Sequence, residues 1–323
     1  MTTGMLLGKF LPPHLGHVYL GEFASRFVDR LTIVVCSLRR EPIPGALRFR
    51  WMRELFPFDD VVHLTDELPQ EPAEHPDFWD LWRSALLRVL PGRPDYVFAS
   101  EPYGWRLAEE LGAAFVPVDE ARSAVPASGT SVRTDPAANW EYIPRCVRPY
   151  FVKRVCVFGA ESTGKTTLAR RLADHFRTAW VPEYARTRLE AKGGAVTFED
   201  MEPIARGQVA SEEALARNAN RVLVADTDPL ATVIWSDVLF GRVPEFVREM
   251  AERRSADLYL LLDPDVPWVA DPVRYLPGQG RAFLDRCLAE LDARGRRYAV
   301  IRGDWDDRFR AAVEAVDRVV SGR

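Results

Sequence analysis

Nine residues, GAESTGKTT at 159–167, limit the fold more than any other stretch of the chain. Gly159, Gly164, Lys165 and Thr166 satisfy the spacing GxxxxGK[ST]. An apolar run, KRVCVFG at 153–159, precedes them, and TTLARRLADHF follows as a helix. Such a loop works where a buried strand hands directly to a helix, so that main-chain N–H groups and the positive helix end face one phosphate group. The glycines let the backbone bend. Lys165 adds a charge near the β and γ phosphates, and the Thr166 hydroxyl is a Mg²⁺ ligand. The candidate ATP-binding residues are Gly159, Glu161, Ser162, Thr163, Gly164, Lys165, Thr166 and Thr167. The alternative is a chance match on a glycine-rich turn; the flanking strand and helix argue against it.

The rest of the chain repeats the strand–helix alternation. The continuous apolar run at 31–36 is a strand buried on both faces. Residues 47–56 have helical periodicity, a helix starts after Pro76 with Asp77 as its cap, and the helix WRLAEELG stops at Gly112. Residues 5–7, 94–100 and AFVPV are further strands of the first half, and 220–228, 257–265 and 296–304 of the second. Strands alternating with helices predict parallel, doubly wound sheets. A length of 323 residues fits two such domains, and the proline- and aromatic-rich stretch around Tyr150 separates them into 1–150 and 151–323.

Bulk composition excludes several classes of function. A net charge of −4 gives no overall pull toward nucleic acid or an anionic membrane. No apolar run is long enough to span a bilayer, and the N-terminus lacks the pattern of a signal peptide. Four scattered cysteines, with no CxxC pair, fit a reducing cytoplasm and neither a zinc site nor a disulfide framework. Small-molecule substrates are the expected partners. A homo-oligomer is compatible with all of this, and the sequence leaves oligomeric state open.

Three stretches after the phosphate loop carry its chemistry. Glu183, in WVPEYAR, stands where P-loop kinases of small hydroxyl substrates place a base. Asp226 and Asp228, in VADTDP, end a strand, the place for a Mg²⁺-organising carboxylate. Arg274, in PWVADPVR, is placed to cover a phosphoryl group in transfer. Each has a plainer alternative: Glu183 paired with Arg186, Asp228 a turn residue before Pro229. Together, in this order, they favour a kinase over a motor or switch ATPase.

A second anion site precedes these. GKFLPPHLGHVYL places His14 and His17 in a proline-stiffened loop between a strand and a helix. Two histidines alone make an incomplete metal set, and the prolines and glycine argue for a shaped loop over core histidines. Phosphate handling fits better. Gly16 permits close approach at the helix start, two imidazole N–H groups converge on one anion, and Lys9 lies just upstream. A matching element is SGTSVR at 128–133, whose helix start offers N–H groups and whose Arg133 can grip β and γ phosphates. Alone it would read as a capped helix.

GKFLPPHLGH with SGTSVR resembles the HxGH nucleotidyltransferase superfamily, in particular nicotinamide mononucleotide (NMN) adenylyltransferases. With GAESTGKTT, EYAR, DTD and PWVADPVR after it, nearly the whole chain from Gly8 onward resembles the NadR family, which joins such an adenylyltransferase to a ribosylnicotinamide kinase. The resemblance implies a Rossmann-like domain followed by a P-loop kinase domain, with ATP as a substrate of both reactions and Mg²⁺ as cofactor in the kinase. It implies phosphorylation of ribosylnicotinamide to NMN, then adenylylation to NAD. It places Gly8, Lys9, Phe10, His14, His17, Ser128, Gly129, Thr130 and Arg133 around one ATP. Lys165, Glu183, Asp226 and Arg274 act in the kinase, Thr166 and Asp226 hold the metal, and Tyr184 and Asp228 join Glu183 on the substrate. Trp79 or Trp82 stacks on the nicotinamide ring, although two tryptophans at i and i+3 are more often core. The chain departs from the family in two ways. Some members carry an N-terminal helix-turn-helix repressor domain, for which a first strand near Met5 leaves no room, so no transcriptional role is expected. Pro272 stands where the pattern calls for glycine. Two other functions are weighed against this: a fusion acting on another cofactor precursor, and a nucleotide-sensing regulator without turnover. Intact catalytic side chains in both loops favour the enzyme.

Overall fold

Strands that are apolar at every position must be covered on both faces, and in the computed structural model they are. It describes residues 1–193, 195–269 and 278–322. The chain divides into two compact units, Met1–Val147 and Arg148–Arg323.

In the first unit, β1 (Thr3–Gly8), α1 (Leu15–Phe27), β2 (Arg30–Cys36), α2 (Gly45–Leu55), β3 (Asp60–Leu64), α3 (Phe78–Val89), β4 (Tyr96–Ala99), α4 (Tyr103–Leu111), β5 (Ala114–Pro117) and α5 (Gly129–Thr134) follow in order. The strands form a parallel sheet of order β3-β2-β1-β4-β5. Alternation along the strands splits the core in two. Met5, Val34, Leu64 and Val97 pack with Trp82, Leu86 and Leu107 of α3 and α4. Leu6, Ile33, Val35 and Phe98 pack with Leu20, Ala24 and Met52 of α1 and α2. The chain leaves β1 toward β2 and β3, then returns to β4 on the other side of β1. The carboxyl end of β1 is therefore the switch point at which open α/β sheets bind ligands, and it carries the histidine loop.

The second unit runs α6 (Arg148–Phe151), β6 (Lys153–Gly159), α7 (Lys165–Phe176), β7 (Trp180–Val181), α8 (Tyr184–Lys192), α9 (Met201–Ala216), β8 (Val222–Asp226), α10 (Pro229–Phe240), α11 (Glu245–Arg253), β9 (Leu258–Leu262), α12 (Gly280–Ala293), β10 (Tyr298–Ile301) and α13 (Trp305–Val320). Its parallel order is β10-β9-β6-β8-β7. β8 and β9 are buried at every position. Val155, Val157, Leu258 and Leu260 face α7 and α13, while Cys156, Phe158, Tyr259 and Leu261 face α9 to α12. The P-loop leaves the central strand.

The parallel α/β architecture matches the sequence expectation, as does Gly112, a left-handed C-cap at φ 70°. Asp77 holds the N-cap position of α3, but its side chain makes no capping bond. β3 has no counterpart among the expected strands. It is an edge strand with one fully buried residue, so the apolar signal is weak. No helix among the described residues is long and apolar enough to cross a membrane.

Candidate functional site

In the first unit the two histidines are built into the start of α1. His14 is the N-cap, and its Nδ1 accepts the Gly16 N–H at 3.1 Å. The Nδ1 of His17, at position N3, accepts the His14 N–H at 3.3 Å. This is a capping box in which imidazoles replace the usual hydroxyl and carboxylate. An Nδ1 that accepts carries no proton, so each ring bears its hydrogen on Nε2. The rings lie 3.8 Å apart. Burial and then Arg122 push His14 down to about 4. Burial, His14 and Arg122 hold His17 well below the usual histidine range. Both rings are therefore neutral donors at physiological pH, not cations. Phe10 lies under the loop with its ring edge against His17 at 5.0 Å.

A cavity of about 920 Å³ opens beside this loop, lined by Gly8, Lys9, Phe10, His17, Trp79, Trp82, Ser128, Gly129, Thr130 and Arg133 among others. Ser128 caps α5, its hydroxyl accepting the Ser131 N–H at 3.0 Å. Gly129 is required by closeness: a Cβ there would lie 2.8 Å from the Leu11 carbonyl oxygen. The Arg133 guanidinium donates to that same carbonyl and to the Thr130 hydroxyl, clasping α5 to the histidine loop. Of the two tryptophans, Trp82 is core, its indole N–H donating to the Pro69 carbonyl at 2.9 Å. Trp79 is half-buried, with Arg106 over its ring at 5.8 Å.

Sequence reasoning missed two arginines here. Arg48, fully buried on α2, donates to the carbonyls of Lys9, Ile43 at 3.0 Å and Cys36 at 3.3 Å. It also pairs with Glu41, whose other oxygen is 3.4 Å from the Lys9 ammonium. This pair anchors the end of β1 and the side chain of Lys9. Arg122 lines the cavity from a residue at φ 51°. Asp119 holds that turn by accepting the N–H groups of Ser123, Ala124 and Val125. Neither arginine lies in a motif, and the segment around Arg122 shows no periodicity.

In the second unit the P-loop adopts the bend its glycines permit, with φ 130° at Gly159 and 85° at Gly164. The Lys165 ammonium and the Thr163 hydroxyl both donate to the Ala160 carbonyl at 2.8 Å, curling the loop. Thr166 Oγ1 donates to Asp226 Oδ2 at 2.5 Å. Asp226 Oδ1 is buried with no hydrogen-bond partner among the described residues. Glu183 starts α8 without capping it. Burial first, then the charge of Asp226, push its carboxyl up to about 6, against the pull of Lys165 and Arg186. Asp226 is also raised, mainly by burial.

Glu161, Ser162, Gly164, Lys165, Thr166, Thr167, Glu183 and Arg186 line a cavity of about 180 Å³ whose far wall is apolar: Leu189, Val196, Met201, Ile204, Trp235 and Leu239. Two expected substrate residues stand elsewhere. Asp228 caps α10, accepting from Leu230 at 3.0 Å and Ala231 at 3.2 Å, and its second oxygen accepts the Tyr259 hydroxyl at 2.6 Å. Its carboxylate is thus spent in the core, as the turn-residue alternative had it. Tyr184 packs its ring on Gly207 of α9 and does not line the cavity. Arg274 lies outside the described residues. Trp235, its ring 4.6 Å from that of Phe283, supplies the cavity's aromatic side chain and was not foreseen. Among the described residues no group of three or more His, Cys, Asp or Glu is placed to hold a metal ion.

The two sheets and their phosphate loops define a nucleotidyltransferase-type domain followed by a P-loop domain of kinase type. A family model described as AAA domain matches residues 154–308. The trifunctional NAD biosynthesis/regulator protein NadR of Escherichia coli (strain K12) is 31% identical over 342 residues, covering 98% of this chain and 82% of that protein. The chain belongs to the NadR family. Two solved structures share its fold. NadR protein in complex with NR has a TM-score of 0.81 at 23% identity, and NadR protein in complex with NAD and AMP-PNP has 0.79 at 24%. Each covers 99% of this chain, which covers 96% of either.

Proposed function

We propose that the chain makes NAD from ribosylnicotinamide in two ATP-dependent steps, the kinase in the second unit and the adenylyltransferase in the first. The observation that carries it is the pairing of Glu183 and Asp226 beside the P-loop, with different partners. Asp226 is tied to Thr166 and keeps one buried oxygen without a partner among the described residues, which fits a hydrated Mg²⁺. Asp226 and Thr166 are the residues to hold that ion with the nucleotide phosphates. When bound, it neutralises charge on the β and γ oxygens. Glu183 lines the P-loop cavity without a capping role and orients the 5′-hydroxyl of the riboside, accepting its proton. Lys165 turns from the Ala160 carbonyl to the phosphates. The apolar far wall, Trp235 included, receives the planar base.

In the first unit the attacking phosphate of NMN is already an anion, so no strong base is needed. His17 and His14 donate through Nε2 to the α-phosphate of ATP as charge builds there. Lys9, Arg133 and Arg122 supply positive charge around the same cavity. The neutral state of the imidazoles suits donors whose protons must not be lost. The setting is the cytoplasm, consistent with four cysteines that form no disulfide. The test is incubation with ATP, Mg²⁺ and nicotinamide riboside, followed by chromatography. NMN and then NAD are expected, and a chain that consumes ATP without either product overturns the assignment.

A further inference from the structure

The two kinase carboxylates sit at the ends of separate strands, and one buried side chain joins the segments that carry them. Gln208, midway along α9, is 2% exposed. Its Oε1 accepts the N–H of Tyr184, the residue after Glu183, at 2.8 Å. Its Nε2 donates to the Asp226 carbonyl at 3.3 Å and the Thr227 carbonyl at 3.1 Å. Thr227 holds φ 69°, a conformation that a residue with a Cβ adopts only when its surroundings impose it. The neighbour of Gln208 makes this reach possible. A Cβ at Gly207 would fall 2.1 Å from the Tyr184 ring, so only glycine lets α8 come this close to α9.

We propose that Gln208, which also lines the P-loop cavity, is a positioning residue of the kinase centre: by bridging the main chains on either side, it sets the spacing and aim of Glu183 and Asp226. This rests on the assignment of the P-loop cavity to ribosylnicotinamide phosphorylation. The chemistry of the bridge explains the residue type. The Tyr184 N–H needs an acceptor and the two carbonyls need donors, and a primary amide offers both on one head. An ionised glutamate keeps the acceptor and turns a negative charge on the carbonyls. A methionine of similar length offers neither. Phosphoryl transfer through a loose transition state depends on alignment more than on base strength, so a misplaced carboxylate slows turnover. ATP itself is gripped by the P-loop, to which Gln208 makes no hydrogen bond among the described residues, so its affinity is separate from the bridge.

The experiment uses Gln208→Met and Gln208→Glu in the full chain. The Met variant covers the case in which a buried charge prevents folding of the other. Riboside phosphorylation is measured against ATP and against Mg²⁺, with NMN adenylylation as the internal control. The expected result is a fall in riboside kcat of about tenfold or more in both variants, with KM for ATP within about twofold. The Mg²⁺ concentration for half-maximal rate rises, because the Asp226 main chain is no longer held, and adenylylation is unchanged. A folded variant with wild-type riboside kcat, or one whose ATP KM worsens as far as its kcat with no change in Mg²⁺ response, overturns the proposal. Absence of riboside phosphorylation in the unsubstituted protein instead overturns the assignment of the site, and the proposal with it.

Discussion

Thr166 Oγ1 lies 2.5 Å from Asp226 Oδ2, and the other Asp226 oxygen, also buried, has no hydrogen-bond partner among the described residues. One carboxylate thus ties the P-loop to the end of β8 and keeps an acceptor in reserve. Asp226→Asn replaces one of these oxygens with a donor. It is expected to raise the Mg²⁺ needed for half-maximal riboside phosphorylation by about tenfold or more, as for a weakened metal contact. A metal titration of the variant checks this, and an unchanged half-maximal concentration removes Asp226 from the metal.

Glu183 has the other role. Burial and Asp226 raise its carboxyl to about 6, so below that pH it is protonated and cannot accept the hydroxyl proton. The riboside kcat should therefore fall on the acid side of about pH 6, above the usual carboxylate range. In Glu183→Gln the rate should be low throughout, without that limb, and ATP binding should be nearly unchanged. A variant that keeps both the rate and the limb would place the titrating group elsewhere.

The P-loop and the histidine loop were legible because each is local: a few residues at fixed spacing between a strand and a helix dictate the backbone. The parallel sheets followed from apolar runs such as 31–36, which only a doubly covered strand explains. What escaped depends on partners far along the chain. Asp226 and Asp228 look alike in sequence; the second Asp228 oxygen, left over from capping α10, is taken by a tyrosine 31 residues on. Gln208 is an ordinary polar residue of α9 until its bonds, 18 to 24 residues away, are seen. Arg48 sits in a stretch whose helical periodicity says nothing of a buried charge, yet it is held by three carbonyls and Glu41.

The histidines should resist protonation. Both folded-state values lie below the unfolded 6.5, so the unfolded chain takes up protons first, and this contribution to stability is lost as pH falls below about 6.5. Histidine-selective nitrogen labelling should show His14 and His17 as neutral Nε2–H tautomers at pH 6. A midpoint near 6.5 for either ring would contradict the capping-box geometry.

Arg48 is expected to matter for the fold of the first unit. Arg48→Met leaves the buried Glu41 carboxylate without its guanidinium, a cost on the order of 3 kcal/mol. Amide hydrogen exchange in β1 and β2 should speed up, while that in β6 to β10 stays as it was. Unchanged exchange in β1 and β2 would mean that Glu41 takes up a proton or another partner.

The central claim is that two sites in one chain act in sequence through a released intermediate. The direct measurement is NAD formation from nicotinamide riboside and ATP by Lys165→Ala, by His17→Ala, and by an equal mixture of the two. Lys165→Ala should adenylylate NMN but not phosphorylate the riboside. His17→Ala should phosphorylate the riboside and lose NAD synthesis by on the order of 10²-fold, as for removal of one donor to developing charge. The mixture should make NAD from the riboside at a rate neither variant approaches alone. Loss of both half-reactions in either folded variant, or a mixture no better than its parts, would contradict the account.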